Sequence, residues 1–213
     1  QHVLITAGPT YEAIDPVRFV GNRSSGKMGY ELAKAAVNAG ARVTLISGPT
    51  HLSPPANVEL LHAESAGEMH DQCMEHYKTN DIVIMAAAVA DYAPAEKETQ
   101  KIKKKTDELV LKMSPTKDIL LALAKQKAPA KLHIGFALET ANELENAKNK
   151  LVKKKLDMIV LNSLNDKGAG FEHDTNKITV IQKGGKTKEF PLKSKSEVAQ
   201  DILQLIIELL QKK

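Results

Sequence analysis

The sequence predicts an α/β fold: a doubly wound, Rossmann-like, mainly parallel sheet with a C-terminal antiparallel hairpin and a closing helix. Three observations carry this. Strand-like apolar runs alternate with helical stripes along most of the 213 residues. The tripeptide Gly-Pro-Thr occurs at Gly8 and again at Gly48, each time just after a strand-like run. That fits two neighbouring parallel strands ending at one sheet edge. Near the end, Gly184-Gly185 stands between two further strand-like runs, as in a hairpin.

The first strand is Val3-Leu4-Ile5-Thr6, ending in Ala7-Gly8-Pro9-Thr10. A long irregular link follows, carrying Asp15, Arg18 and Asn22; links of that length in α/β units are usually functional. A helix then runs from Met28 on the stripe Met28, Leu32, Ala35, Ala36 and Ala39, and Gly40 ends it. Ser24 or Ser25 is expected to cap its first turn. Gly26 and Gly29 are expected to admit backbone or ligand closely. A helix start of this kind attracts anions, phosphate above all; a capped helix on a glycine turn without any ligand is the competing reading.

Val43-Thr44-Leu45-Ile46-Ser47 is the second strand, and a short one lies near Val58–Leu61 after Ser53-Pro54-Pro55. Ser65 and Glu68 predict a capping box for a helix to about Lys78. Asp81–Met85 reads as a buried strand, followed by Ala86-Ala87-Ala88-Val89-Ala90-Asp91-Tyr92. Small residues there let a flat ligand lie on the backbone, and Asp91 can accept from an amino group. Close strand–helix packing, with Asp91 in a turn, is the alternative.

The polar stretch from Ala93 to about Lys105 holds Lys97, Lys101, Lys103, Lys104 and Lys105, and is too long for an ordinary connection. Ile102-Lys103 is expected to pair loosely with Leu109-Val110-Leu111 across Thr106-Asp107. Such a basic flap can close over a polyphosphate or be solvated surface. Then come a helix from about Lys117, a strand at Leu132–Phe136, and a helix from about Asn142 to Lys155, with Lys150 and Lys154 one turn apart on one face. Met158–Leu161 is another buried-type strand. Ile178–Ile181 and Lys188–Phe190 form the hairpin. Ser194 and Glu197 open the last helix, with Val198, Ile202, Leu205, Ile206 and Leu209 on its buried face.

No linker divides the chain, so residues 1–213 are expected to form a single domain with a mobile lysine-rich flap at about 93–108. There is no apolar run of membrane-spanning length and no signal-peptide pattern. The one cysteine, Cys73, excludes an internal disulfide and suits a reducing cytosol, so a cytoplasmic location without a membrane partner is expected. Cys73 shares a helical face with Ala66, Met69 and Tyr77 and reads as core. A net charge of +4 favours anionic ligands weakly, and the absence of Trp argues against a nucleic-acid platform. The histidines show no metal-ligand spacing and there is no serine elbow. Gly21-x-x-x-x-Gly26-Lys27 mimics a P-loop, but Met28 replaces the Ser or Thr that would hold Mg²⁺. The G-x-G-x-x-G fingerprint is missing, as is an acid ending the second strand. A nucleotide-cofactor-binding Rossmann-like reductase is therefore the weaker alternative.

AGPTYEAIDPVRFVGNRSSGKMG, AAAVADY, KIKKK, GFALET, a Lys-bearing helix and a buried strand ending in Asn162 follow one another in order. Together they closely resemble the bacterial, CTP-using phosphopantothenate–cysteine ligases of coenzyme A biosynthesis. The resemblance implies ligation of 4′-phosphopantothenate to L-cysteine in two half-reactions: the pantothenate carboxylate attacks CTP, giving an acyl-cytidylate and pyrophosphate, and the cysteine amine then displaces CMP. It implies Mg²⁺ with the nucleotide and a homodimer. It also implies, in many relatives, fusion to a flavin-dependent phosphopantothenoylcysteine decarboxylase. The chain begins two residues before its first strand, as a domain cut from such a fusion would, although a free-standing ligase is equally compatible.

Residue by residue, the resemblance gives Asn22 the acyl-cytidylate and Lys101 the closing flap. It places Met85, Ala86 and Ala87 at the nucleotide and Asp91 at the cytosine. Lys117, Asp118, Ile119 and Leu120 become a helix start at the nucleotide, Phe136 an aromatic near the base, and Lys150 and Lys154 its lysine contacts. Thr116-Lys117-Asp118 departs from the Asn-Pro-Asp of many relatives, so only backbone contacts are expected of Lys117. Gly8, Ser24, Ser25 and Gly26 are expected to hold phosphate or the intermediate.

Overall fold

The computed structural model describes residues 1–104, 108–163 and 173–212. In chain order the main elements are β1 (His2–Ala7), α1 (Lys27–Asn38), β2 (Arg42–Ser47), β3 (Val58–His62), α2 (Ala66–His76), β4 (Ile82–Met85), α3 (Ile119–Lys125) and β5 (Leu132–Glu139). They continue with α4 (Glu143–Lys153), β6 (Met158–Ser163), β7 (Ile178–Gln182), β8 (Thr187–Glu189) and α5 (Lys195–Leu210). The eight strands form one sheet in the order β8-β7-β6-β5-β4-β1-β2-β3. β3 through β6 in that order pair in parallel, whereas β7 and β8 pair antiparallel. The chain winds outward from β1 to β3, returns to β4 beside β1, and winds outward again. The strand order therefore reverses between β1 and β4, where open α/β sheets bind their ligands.

Helices cover both faces. Leu32, Ala33 and Ala36 of α1 and Val198, Ile202 and Ile206 of α5 pack with Val3, Ile5, Leu45 and Ile84 on one face. On the other, Met69, Cys73 and Tyr77 pack with Leu4, Val83, Ile119 and Leu123, and α4 covers Ile159 and Leu161. Burial pushes the Cys73 thiol up to about 12, consistent with a core residue. Among the described residues no helix is long and apolar enough to cross a membrane.

Several local expectations change. The buried face of α1 is Gly29, Tyr30, Leu32, Ala33 and Ala36, while Ala39 is exposed beyond the helix end. The reason is Gly29: a Cβ there would lie 2.5 Å from the Ala7 Cβ, so the helix rotates its glycine onto β1. The close approach that Gly29 permits is thus that of the strand β1. Neither Ser24 nor Ser25 occupies the N-cap position. Gly26 is the N-cap, at φ 80, without a side-chain cap bond. The serine hydroxyls instead accept from Gly26 N (3.3 Å) and Lys27 N (3.5 Å). Ser65 caps α2, but Glu68 closes back on Glu64 N (2.7 Å), and the α-helix gives way to a 3-10 turn at Tyr77–Thr79. The capping box of α5 forms as expected from Ser194 and Glu197.

The link after β1 is more ordered than expected: Tyr11–Ala13 and Phe19–Gly21 form an antiparallel ribbon, with the Tyr11 and Phe19 rings stacked. The flap rests on a second ribbon, Tyr92–Pro94 with Met113–Pro115, extended by Ala95 N to Lys112 O (2.9 Å). Neither Ile102-Lys103 nor Leu109–Leu111 lies in a strand, so the expected loose pairing does not form, and Lys105, Thr106 and Asp107 lie outside the described residues.

Candidate functional site

Two Gly-Pro-Thr turns build the floor beyond β1 and β2. The strands end in register, Ala7 beside Ser47, as the repeated tripeptide implied. The turns press together so closely that Gly48 has no room for a side chain. Gly8 (φ 77) and Gly26 (φ 80) stack on each other and on the Thr50 methyl, so Gly8 packs beneath the site and lines neither cleft described below.

Beyond β4, the small-residue segment is stitched to the β1 turn. Ala87 N donates to Thr6 Oγ1 (3.2 Å), Ala90 N to Thr10 Oγ1 (2.9 Å), and Ala88 N to Gly8 O (2.9 Å). Backbone and threonine hydroxyls thus hold Ala86–Ala90 open across the reversal point, with Asp91 exposed at its end.

Two adjoining clefts flank this segment. The first, about 320 Å³, is walled by Asn22, Ser24, Ser25, Gly26 and the start of α1 on one side and by Ala86, Ala87, Phe136 and Lys150 on the other. The second, about 360 Å³, is walled by Met85, Lys117, Asp118, Ile119, Leu120 and Lys154. Ala87, Val89, Asp91, Phe136 and Lys150 belong to both and form the partition.

Asn22 donates from Nδ2 to Ala88 O (2.9 Å), which fixes its amide at the first cleft. Lys150 donates to Phe136 O (2.9 Å). Burial pulls its ammonium below the usual lysine value and Lys154 adds to that, while Glu139, Asp91 and Asp118 oppose it. Lys154 pairs with Asp118, whose other oxygen caps α3 through Leu121 N (2.9 Å). Burial pushes the Asp118 carboxyl up, but the Lys154 pair and the Leu121 N–H outweigh it and hold it low. The expected pair of lysines therefore does reach one cleft, each already held by a protein oxygen.

Lys101 does not reach either cleft; it is exposed beside the first ribbon. Its neighbour Ile102 is clasped there: Ile102 N donates to Asp15 Oδ2 (3.0 Å), and Arg18 donates to Ile102 O (2.8 Å) and pairs with Asp15. Burial pushes the Asp15 carboxyl up, but Arg18 and the N–H groups of Ile102, Val17 and Arg18 overcome it and hold it well below the usual range. A carboxyl so depressed contributes its stabilisation above its unfolded value and loses it only as pH falls through the folded one. The clasp is thus expected to persist at pH 5. Asp15→Asn is expected to release it, raising trypsin cleavage at Lys101, Lys103 and Lys104 about ten-fold at neutral pH; an unchanged cleavage rate would remove the clasp.

Sequence reasoning missed Lys27, Asn176 and Lys195 in the first cleft. Lys27 stood in the quoted motif; Asn176 and Lys195 carry no local pattern and arrive through the ribbon Thr175–Asn176 with Lys193–Ser194. Lys27 pairs with Asp174 (2.5 Å). Burial lowers the Lys195 ammonium, Lys27 adds to this, and Asp174 opposes it.

A doubly wound sheet with paired clefts at its reversal point, fringed by lysines and an uncapped helix start, defines a Rossmann-like domain built to take anionic ligands. The chain belongs to the family described as the DNA/pantothenate metabolism flavoprotein C-terminal domain, whose model matches residues 1–210. It is 47% identical over 210 residues to the coenzyme A biosynthesis bifunctional protein CoaBC of Bacillus subtilis (strain 168), covering 98% of this chain and 52% of that protein. It is 50% identical over 210 residues to a cysteine/cysteine sulfinic acid decarboxylase from an unknown prokaryotic organism, covering 98% of this chain and 58% of that protein. A crystal structure of the C-terminal domain of a CoaBC protein superposes with a TM-score of 0.86 at 44% identity, covering 100% of this chain and 97% of that one. The chain thus spans little more than half the length of these curated relatives.

Proposed function

We propose that this domain is a CTP-dependent phosphopantothenate–cysteine ligase. The supporting observation is the pair of adjoining clefts sharing one wall, a layout suited to joining a nucleotide to an acid. The family and the whole-domain likeness to CoaBC agree with it. In this reading CTP lies in the second cleft, with Asp91 accepting from the cytosine amino group, Phe136 beside the base, and Lys150 and Lys154 at the phosphates. Phosphopantothenate lies in the first, its phosphate toward Ser24, Ser25, Gly26 and the start of α1. Its carboxylate oxygen bonds to the α-phosphorus as the bond to pyrophosphate breaks. Alignment and charge neutralisation dominate such a transfer. The cysteine nitrogen next bonds to the acyl carbon, CMP leaves, and the amine proton goes to solvent. Lys101 closes the cleft once the flap leaves its clasp.

Mg²⁺ supplies charge neutralisation on the triphosphate when bound. Among the described residues no group of three or more His, Cys, Asp or Glu side chains is placed to hold a metal. A magnesium ion carried on phosphate and water oxygens needs only a carboxylate or two from the protein, and Asp118, exposed on the wall of the second cleft beside Lys154, would supply one. Homodimer formation is supported by exposed apolar residues, Phe19, Val20 and Tyr92 on the two ribbons and Val17 in the turn of the first; a monomer by light scattering at micromolar concentration would remove it. The length of the relatives supports a fused decarboxylase elsewhere in the native chain.

The deciding experiment incubates the protein with phosphopantothenate, Mg²⁺, cysteine and either CTP or ATP, and follows pyrophosphate. Release with CTP is expected, and none with either nucleotide would overturn the reading. Carbon dioxide from cysteine without nucleotide would favour the activity in the other relative's name. Asp91→Ala is expected to weaken CTP binding by about 1–3 kcal/mol, or roughly 5- to 150-fold, as for a lost hydrogen bond to a charged group. Unchanged affinity by calorimetry would show that Asp91 does not read the base.

A further inference from the structure

Thr116 makes two hydrogen bonds that flank a single residue. Its Oγ1 donates to Ala90 O (2.7 Å), and its backbone N–H donates to Asp91 O (2.9 Å). The first carbonyl belongs to the peptide plane before the Asp91 Cα, the second to the plane after it. Peptide units are planar, so only φ and ψ separate one plane from the next. Holding both planes therefore fixes the direction in which the Asp91 side chain leaves the backbone. Ala90 N is held in turn by Thr10 Oγ1 (2.9 Å). Ala90 is buried and Thr116 half-buried, whereas Asp91 is exposed, so the backbone and not packing sets its aim. The same two residues are the feet of the flap. Asp91 precedes Tyr92–Pro94, Thr116 follows Met113–Pro115, and both line the second cleft. Pro115, opposite Tyr92 in that ribbon, has no N–H to give, so the bonds that close the ribbon at its foot come from Thr116.

We propose that Thr116 is a positioning residue for base selection, acting through Asp91. The inference rests on the ligase reading above, in which Asp91 accepts from the cytosine amino group. Uracil carries a carbonyl oxygen at that place, which a carboxylate repels, so discrimination between the two bases depends on where the carboxylate points. Thr116→Val removes the hydroxyl at nearly constant shape. The buried Ala90 carbonyl then lacks its partner, and its peptide turns to find another, carrying Asp91 off its aim.

Steady-state pyrophosphate release with CTP and with UTP tests this in the parent and in variants of both residues. The ratio of kcat/KM for CTP over UTP is expected to fall about five-fold or more in Thr116→Val. It should stay within about two-fold of the parent in Thr116→Ser, which keeps the hydroxyl, and the KM values for phosphopantothenate and cysteine should stay within about two-fold in both. Thr116→Ala removes the same hydroxyl with less bulk and should lower the ratio in the same direction, so the test does not hang on one variant folding. A merely structural threonine would slow CTP and UTP alike and leave their ratio where it was. An unchanged ratio in Thr116→Val and Thr116→Ala, with the ratio collapsed in Asp91→Ala, would overturn this inference alone. Collapse of the ratio in Thr116→Ser as well would place the effect in the methyl group and overturn it too. A parent that does not favour CTP over UTP, or that keeps its preference in Asp91→Ala, would overturn the base-reading role of Asp91 and this inference with it.

Discussion

Asn22→Asp is expected to release pyrophosphate from CTP and phosphopantothenate at close to the parent rate, yet to form product at least about 100-fold more slowly when cysteine is added. The amide of Asn22 spends one N–H on Ala88 O (2.9 Å), which leaves its second for a ligand in the first cleft. Loss of one positioned donor at a developing oxyanion typically costs about 10²–10³ in rate. An aspartate has the same shape and no donor. It would also face the Ala88 carbonyl with like charge and drift from its place. The first half-reaction depends on the lysines and the triphosphate across the partition, so it should survive. The acyl-cytidylate should then accumulate and be visible by mass spectrometry. Asn22 is exposed, so a melting temperature near that of the parent is expected and separates chemistry from folding. Loss of pyrophosphate release together with product would move Asn22 to the first step and end this division of roles.

Gly48→Ala should produce the largest loss of stability of any single methyl added to the site's frame. Its Cβ would stand 1.6 Å from Pro9 O and 2.8 Å from the Pro9 carbonyl carbon, and neither is the end of a flexible side chain. The two turns would have to part, breaking the floor on which Gly8 and Gly26 stack. Overpacking of rigid groups costs about 3 kcal/mol or more at such a contact. In a domain of this size that lowers Tm by about 6–12 °C. Gly40→Ala is the contrast: its φ is 81, but nothing lies within 4 Å of the added methyl, so only the backbone strain of about 1 kcal/mol is expected. Calorimetric melting of both variants checks this, and a Gly48→Ala melt no lower than that of Gly40→Ala would contradict the packed-turn account.

Most of the scaffold was legible because its determinants are local. Alternation, helical stripes and glycine stops identify β1, α1, β4, β6 and α5 from residues within a few positions of one another. Even the adjacency of β1 and β2 was written in a repeated tripeptide. Errors came where a contact distant in sequence chose between local options. α1 turned its Gly29 onto Ala7, which displaced Ala39 from the buried face. Gly26 took a left-handed conformation against Gly8 and Thr50, which took the capping role from the serines.

The sequence by itself determined an α/β doubly wound domain, the family, and a set of residues at the carboxyl ends of strands. Asn22, Ala86, Ala87, Asp91, Asp118, Phe136, Lys150 and Lys154 all line the clefts. Only the tertiary structure decided how those residues divide between two clefts and what already holds them. Asp15 meets Ile102 across 87 positions, so no local window could tell that the flap is clasped with Lys101 outside the site. Asn176 and Lys195 reach the first cleft because the chain after β6 comes back through antiparallel pairings. Side-chain periodicity records which face of an element is buried, and it carries no trace of which distant element buries it.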